Sequence, residues 1–332
     1  MKKILFITIA SGVAASTRVR VTNLIPELER HGFATKTVRY PKTFRGKWSL
    51  LKCCVQFDVV FLQKRTPPLF FALLLKIFAK KLVYDFDDAI YYTPNAPDET
   101  RDPDRLRRFI NIVRKADLVI AGNKILAKEA QNYTTNCTVL PSAVETRNIP
   151  VKDYGNRHEK FVIGWVGGEI NLPCLEQLIP VFQELAKRHA IQLRVISSKS
   201  IESPEFETLF IPWDENTQEL EIARFDVGVM PLFNYPHTQG KCAYKALQYM
   251  AAGVPAVVSN VGINTQVVEH GVSGYVVDDL NDFAFYLEAL IMDRSLIRSM
   301  GEKAKIRVKD QFSIEYVGRF LADMLVTCLE RV

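Results

Sequence analysis

The feature that most restricts this 332-residue chain is an alternation of short apolar runs with helix-patterned segments, which occurs twice. Strand-like runs at 2–9, 34–40, 59–63, 81–85, 117–121 and 138–140 are separated by longer crossovers, and a second series follows at 161–166, 192–197, 208–212, 226–231, 255–259 and 274–277. Short apolar strands joined by helical crossovers argue for parallel pairing in doubly wound sheets. Between the series, residues 149–159 are polar, contain Pro150, Gly155 and Asn156, and read as a linker. The expected fold class is therefore α/β, with two facing doubly wound parallel-sheet domains, a cleft between them and C-terminal helices. The expected division is residues 1–150, residues 151–312, and a last helix, 313–332, packing back toward the first domain.

The N-terminal residues 1–16 have a basic start, a short apolar run and small residues, as a secretory signal would. We read them as a buried first strand, because a patterned helix with Val21, Leu24 and Leu28 on one side follows and closes at Gly32. A hydrophobic content of 48% supplies core for two domains. The net charge of +6 is scattered and no nucleic-acid motif accompanies it, so nucleic acid is not an expected partner. Six cysteines show neither metal-ligand spacing nor disulfide-scaffold density, which fits a reduced cytoplasmic setting. Residues 69–78 are almost wholly apolar but too short to span a bilayer, so they read as a buried crossover helix. Lys76, Lys80 and Lys81 beside them leave open a peripheral contact with the inner face of a membrane.

The stretch 240–260, GKCAYKALQYMAAGVPAVVSN, carries the clearest chemistry. It reads as a glycine entrance, a helix over 241–252, a Gly253–Pro255 stop and an apolar strand. On that helix Lys241, Lys245 and Gln248 fall on one face, and the helix start adds backbone N–H groups and a positive dipole end, which suits a diphosphate. The alternative is a solvated lysine face. Asp85, Asp87 and Asp88 after the fourth strand have two readings from residue type alone, a metal-bound or nucleophilic acidic pair, or a turn cap with solvated partners.

Four stretches then carry a resemblance: SGVAASTRVRV at 11–21, LVYDFDDAI at 82–90, FVIGWVGGEINLPCLEQL at 161–178, and DVGVMPL with GKCAYKALQYMAAGVPAVVSNVGINTQVVEHGVSGYVV within 226–277. Together they resemble a retaining glycosyltransferase of the GT-B fold, family 4 (glycosyl transferases group 1), over nearly the whole length. The resemblance implies two Rossmann-like domains with the donor mainly on the second. It also implies transfer of a sugar from a nucleotide diphosphate sugar to a saccharide or lipid-linked acceptor, with retention and without metal or other cofactor. Cell-envelope polysaccharide assembly is the setting it implies.

Carried over by position, the family's paired glutamates fall on Gly240 and Gln248. Gln248 then contacts the ribose through its amide oxygen, while backbone N–H groups around Thr238, Gly240 and Lys241 take over placement of the donor sugar. The arginine and lysine that relatives carry after the first strand of the second domain are absent beyond Gly168. Lys241 and Lys245 are their expected replacements in stabilising the leaving diphosphate. Arg18 or Arg20 adds charge from the first domain, and Trp213 stacks on the base or simply packs. A third reading of the acidic loop appears, in which Asp87 or Asp88 lines the acceptor side. Two further classes share this architecture, an inactive sugar-nucleotide-binding protein and a nucleotide-sugar epimerase.

Overall fold

The computed structural model describes residues 1–10, 15–93, 101–155, 159–201 and 205–331. Residues 11–14 of the first resembling stretch, residues 94–100, and residues 156–158 of the linker lie outside the described residues. The chain forms two compact units: Met1–Ala143 with Tyr235–Cys242 and Ser313–Val332, and Val144–Asn234 with Ala243–Phe312. The segment Tyr235–Cys242 thus lies with the first unit, whereas the division read from sequence runs unbroken from 151 to 312.

In the first unit, strands β1 (Lys2–Thr8), β2 (Phe33–Arg39), β3 (Val59–Gln63), β4 (Leu82–Phe86), β5 (Leu118–Ala121) and β6 (Cys137–Val139) form one sheet in the order β2-β1-β3-β4-β5-β6. All its pairings are parallel. In the second unit β7 (Phe161–Val166), β8 (Ile191–Ser197), β9 (Glu207–Pro212), β10 (Val227–Met230), β11 (Ala256–Ser259) and β12 (Gly274–Val277) are ordered β12-β11-β10-β7-β8-β9, again all parallel. Helices cover both faces of such sheets, so β3, β4, β5, β7, β10 and β11 are buried at every residue and read as continuous apolar runs. The edge strands β2 and β9 are partly exposed and carry the polar residues.

Local chemistry sets the helix ends. Asp102 caps Pro103–Lys115 by accepting from the backbone of Asp104 and Arg105, and proline at the first helical position lacks only an N–H that the helix would not have used. Asn123 caps Lys124–Gln131, and Ser313 caps Ile314–Glu330. That last helix buries Val317, Leu321, Ala322 and Leu325 in a cluster with Leu24, Leu28 and the β1 residues Ile4 and Phe6. The polar crossover after β2 contains a helix, Phe44–Cys54, capped by Thr43. After β7 the chain forms two helices, Leu172–Glu176 and Ile179–Ala186, with Pro180 in the first turn of the second. The expected helix over 241–252 begins only at Tyr244, because Ala243 adopts the left-handed conformation with φ 53°.

The second unit is tied at the amino ends of its strands by a buried ion pair. Lys152 Nζ lies 2.8 Å from Asp226 Oδ1 and also donates to the Phe225 carbonyl, while Asp226 Oδ2 accepts from the Val162 amide. Both side chains are almost fully buried. Removing one partner leaves an uncompensated charge in the interior, which costs about 3–5 kcal/mol. Lys152→Ala is therefore expected to lower the denaturation midpoint of this unit sharply, whereas Lys187→Ala, at the exposed pair with Glu184, should change stability by about 0.5 kcal/mol or less. Equal midpoints for the two variants in urea titrations would contradict this.

Candidate functional site

The first unit gathers its charged residues at the carboxyl ends of β1, β3 and β4. Asp85, the penultimate residue of β4, is fully buried and needs a counter-charge there. Arg20, in the helix Ala15–Arg20, supplies it: Nε donates to Asp85 Oδ2 at 3.2 Å and a terminal nitrogen bonds Oδ1. Its other terminal nitrogen donates to the carbonyls of Leu140 at 2.8 Å and Pro141 at 3.1 Å. Burial works against the Arg20 charge, but Asp85 more than offsets this and raises its pKa. With the guanidinium 1% exposed, Arg20 holds the protein together and does not present charge to a ligand as the sequence reading allowed. Arg18, on the same helix, is also buried.

Beyond β4, Asp87 accepts from Ser16 Oγ at 2.9 Å and pairs with Lys64 Nζ at 3.0 Å. Ser16 is itself held by Gln63 Nε2, and Gln63 Oε1 accepts from Thr17. Lys64 also lies 3.5 Å from Asp88 Oδ2, and Lys241 Nζ lies 3.4 Å from the same oxygen. Burial alone would raise the Asp87 pKa, but Lys64 and Arg20 outweigh it, and Lys64 and Ser16 add hydrogen bonds, so the carboxyl is held below its usual range. Burial disfavours the Lys64 cation, yet the two aspartates hold its pKa above the ordinary value. Lys64 takes this place with φ 57°, a left-handed conformation rare outside glycine that costs about 1–2 kcal/mol. Three carboxylates thus face three cations, and among the described residues no group of His, Cys, Asp or Glu is arranged to hold a metal.

Thr238 and Gly240 belong to this unit. Thr238 closes the first turn of the short helix Pro236–Gln239, its hydroxyl bonding both the amide and the carbonyl of Tyr235. Gly240 is buried, and its carbonyl accepts from Asn123 Nδ2 at 2.9 Å. A Cβ at position 240 would lie 2.8 Å from the Ala89 Cβ and 2.9 Å from its amide nitrogen. The missing side chain therefore admits the protein's own backbone, where the sequence reading had it admit a ligand.

In the second unit the first strand, β7, is followed by Gly167 and Gly168. The Trp165 ring is fully buried beneath this turn, and a Cβ at Gly167 would lie 2.6 Å from two of its ring atoms and 2.9 Å from Lys245 Cε. Only glycine fits that crossing. Lys245, in the helix Tyr244–Ala251, places its ammonium 4.7 Å from the Trp165 ring centroid, a cation–π contact. Three residues on, the buried Gln248 donates Nε2 to Gln218 Oε1 at 3.4 Å, and that oxygen also accepts from Trp213 Nε1 at 2.9 Å. Trp213 follows β9 and is 38% exposed, and Gly168 is exposed. The structure thus sets Lys245 against Gly167, the residue before Gly168, and links Trp213 to Gln248 through Gln218.

Asp87, Asp88, Thr238, Gly240 and Lys241 assemble on the first unit; Gly168, Trp213, Lys245 and Gln248 assemble on the second. The expectation that Lys241 and Lys245 share a helix face is overturned by the left-handed Ala243 between them. Sequence reasoning missed Ser16, Gln63, Lys64 and Gln218. For Gln63 and Lys64 a signal existed, since they end or follow a buried strand as the aspartates do; Gln218 carried none.

Comparison with known proteins agrees with the fold. Residues 160–293 match the family model described as Glycosyl transferases group 1. The capsular polysaccharide biosynthesis glycosyltransferase CapM of Staphylococcus aureus is 26% identical over 181 residues, covering 52% of this chain and 48% of that protein. The chain spans about half the length of the curated relatives it matches. Among solved structures, sucrose-phosphate synthase from Thermosynechococcus elongatus superposes with TM-score 0.76 at 15% identity, over 98% of this chain and 99% of that one. Anabaena HepE in complex with UDP and glucose superposes with TM-score 0.75 at 14% identity, over 98% and 100%. The chain therefore has the GT-B fold, two Rossmann-like units, and the group 1 glycosyltransferase match over 160–293 falls on the second unit apart from the segment Tyr235–Cys242.

Proposed function

We propose that the chain is a glycosyltransferase that moves a sugar from a nucleotide diphosphate sugar to a saccharide or lipid-linked acceptor, with retention and without a metal. The observation that carries the reading is the placement of Lys245 against the Gly167–Gly168 turn, with Gln248 one helical turn further on. This lies at the carboxyl ends of β7 and β10, where the strand order reverses and doubly wound sheets bind ligands. A diphosphate there meets the Lys245 ammonium and the backbone beside Gly168. The Gln248 amide, oriented by Gln218, accepts from ribose hydroxyls, and Trp213 flanks the base. As the sugar–phosphate bond breaks, charge accumulates on the leaving diphosphate, and a fixed cation stabilises it. HepE has also been solved in complex with UDP-glucose, which makes that compound the first donor to test.

On the first unit Asp87, kept ionised by Lys64, accepts a hydrogen bond from the acceptor hydroxyl, and Asp88 with Lys241 extends the polar surface around it. A carboxylate with a lowered pKa is poised to receive a hydrogen bond and not to donate a proton at neutral pH. We place this chemistry in cell-envelope polysaccharide assembly on the cytoplasmic side of the membrane. The capsular role in the name of the CapM relative supports that setting.

Lys245→Ala is expected to weaken UDP binding by about tenfold or more and to lower kcat/KM for UDP-glucose by on the order of 100-fold. Calorimetry and a UDP-release assay measure these, and parental affinity in the variant would reject the donor site. Turnover should be unchanged by EDTA. The Asp87 pairing has a defined pH signature. Because the folded-state pKa lies below the unfolded value of 3.8, its stabilisation is complete above that value and disappears as pH falls through the lowered one. Melting temperatures of the parent and Asp87→Asn should differ by a constant amount between about pH 5 and 8 and converge below about pH 4. A gap that persists at low pH would show that Asp87 is not held as the anion.

A further inference from the structure

Two helices of the first unit expose apolar surface that the donor and acceptor chemistry does not use. On Phe44–Cys54 and the residue after it, Phe44 is 82% exposed, Trp48 47% and Val55 52%; on Leu69–Phe78, Leu69 is 47% exposed, Phe70 71% and Ile77 72%. Phe44, Trp48 and Val55 are separated by four and seven residues and Phe70 and Ile77 by seven, so each set lies along one side of its helix, with Leu69 flanking the second. The helices are neighbours, with Trp48 and Phe78 in edge contact at a 6.2 Å ring separation, so the stripes lie side by side. An apolar surface of this kind on a folded unit marks an interaction site.

The charge around the stripes identifies the partner. Residues 41–57 contain four Lys or Arg and residues 64–81 contain five, with no Asp or Glu in either. Lys64, Lys76 and Lys80 are paired with Asp87, Asp117 and Asp58, and Lys81 donates to the Arg331 carbonyl. Those at positions 42, 45, 47 and 52 make no salt bridge to a described carboxylate. Lys47 and Lys52 lie over aromatic rings, 5.5 Å from Phe71 and 5.9 Å from Trp48, which keeps the cation beside the apolar stripe without neutralising it. We propose that this two-helix face docks the protein on an anionic lipid bilayer, with Phe44, Phe70 and Ile77 entering the interface and Lys42, Arg45, Lys47 and Lys52 meeting lipid phosphates. The fit is by depth as well as charge, since apolar side chains flanked by cations bind at the headgroup boundary. No helix among the described residues is long and apolar enough to cross a membrane, so the contact is peripheral. The lysines at 76, 80 and 81, which the sequence alone singles out for such a contact, contribute less than those of the 44–54 helix because they are already engaged.

Flotation of the full chain with vesicles tests this. Vesicles of phosphatidylcholine with roughly one third phosphatidylglycerol should retain the protein, pure phosphatidylcholine should retain at least about tenfold less, and 0.5 M salt should release it, since each surface cation is worth roughly fivefold in binding. Phe70→Ser with Ile77→Ser, and separately Arg45→Glu with Lys52→Glu, should each lower partitioning by about tenfold or more while keeping the parental melting temperature, because all four positions are exposed. Binding to both vesicle types that neither variant alters overturns the proposal. So does absence of vesicle binding combined with a concentration-dependent dimer that Phe70→Ser with Ile77→Ser dissolves, since a second copy of the chain would then be the occupant.

Discussion

Both units depend on one constraint, the way a parallel sheet must be wound. Neighbouring parallel strands need crossovers, and where strand order reverses, two successive crossovers leave on opposite faces and open a crevice at the carboxyl ends. The reversal falls between β1 and β3 in the first unit and between β7 and β10 in the second. Ser16, Gln63, Lys64 and the Asp85–Asp88 loop collect at the first, and Gly167, Gly168 and Lys245 at the second. The polar residues of each site are thus placed by the winding of apolar strands that never touch a ligand.

The two crevices solve their electrostatics differently. In the first, carboxylates are matched by cations, and the innermost pair, Arg20 with Asp85, is so enclosed that its role is to fix the end of β4. Asp87 then stands on a rigid base and stays ionised because Lys64 and Ser16 favour its charged form. In the second, the Lys245 ammonium sits over the buried Trp165 ring, whose π face orients it. Two non-glycine residues among those described adopt left-handed conformations, Lys64 and Ala243, and each borders one of these sites. Backbone strain of this kind persists where the surrounding structure overrides it, and it recurs at functional positions.

The strand pattern, the fold class and the strand ends that carry Asp87 and Gly168 were legible in sequence. Short runs rich in β-branched and aromatic residues bounded by turn residues mark strands, so β3, β7 and β12 could be bounded to the residue. The helix before β11 was legible in type and not in extent. Propensity extends it back to Lys241, and only the backbone at Ala243 cuts it short. Gly240 shows the same limit: a glycine announces close approach, and whether the approaching atoms belong to a ligand or to Ala89 is decided by what packs there.

By itself, then, the sequence determined two parallel sheets, the order of their elements and the carboxyl-end loops where chemistry concentrates, because hydrophobic periodicity is a local property written residue by residue. Tertiary structure alone decided which charges meet. Lys64 finds Asp87 across 23 positions of chain, Gln218 finds Gln248 across 30, and Lys241 finds Asp88 across 153. It also decided that Arg20 is spent on Asp85 while Lys245 is held beside glycine at a strand end. Pairings of that kind depend on distance and burial in three dimensions, and no periodicity along the chain encodes them.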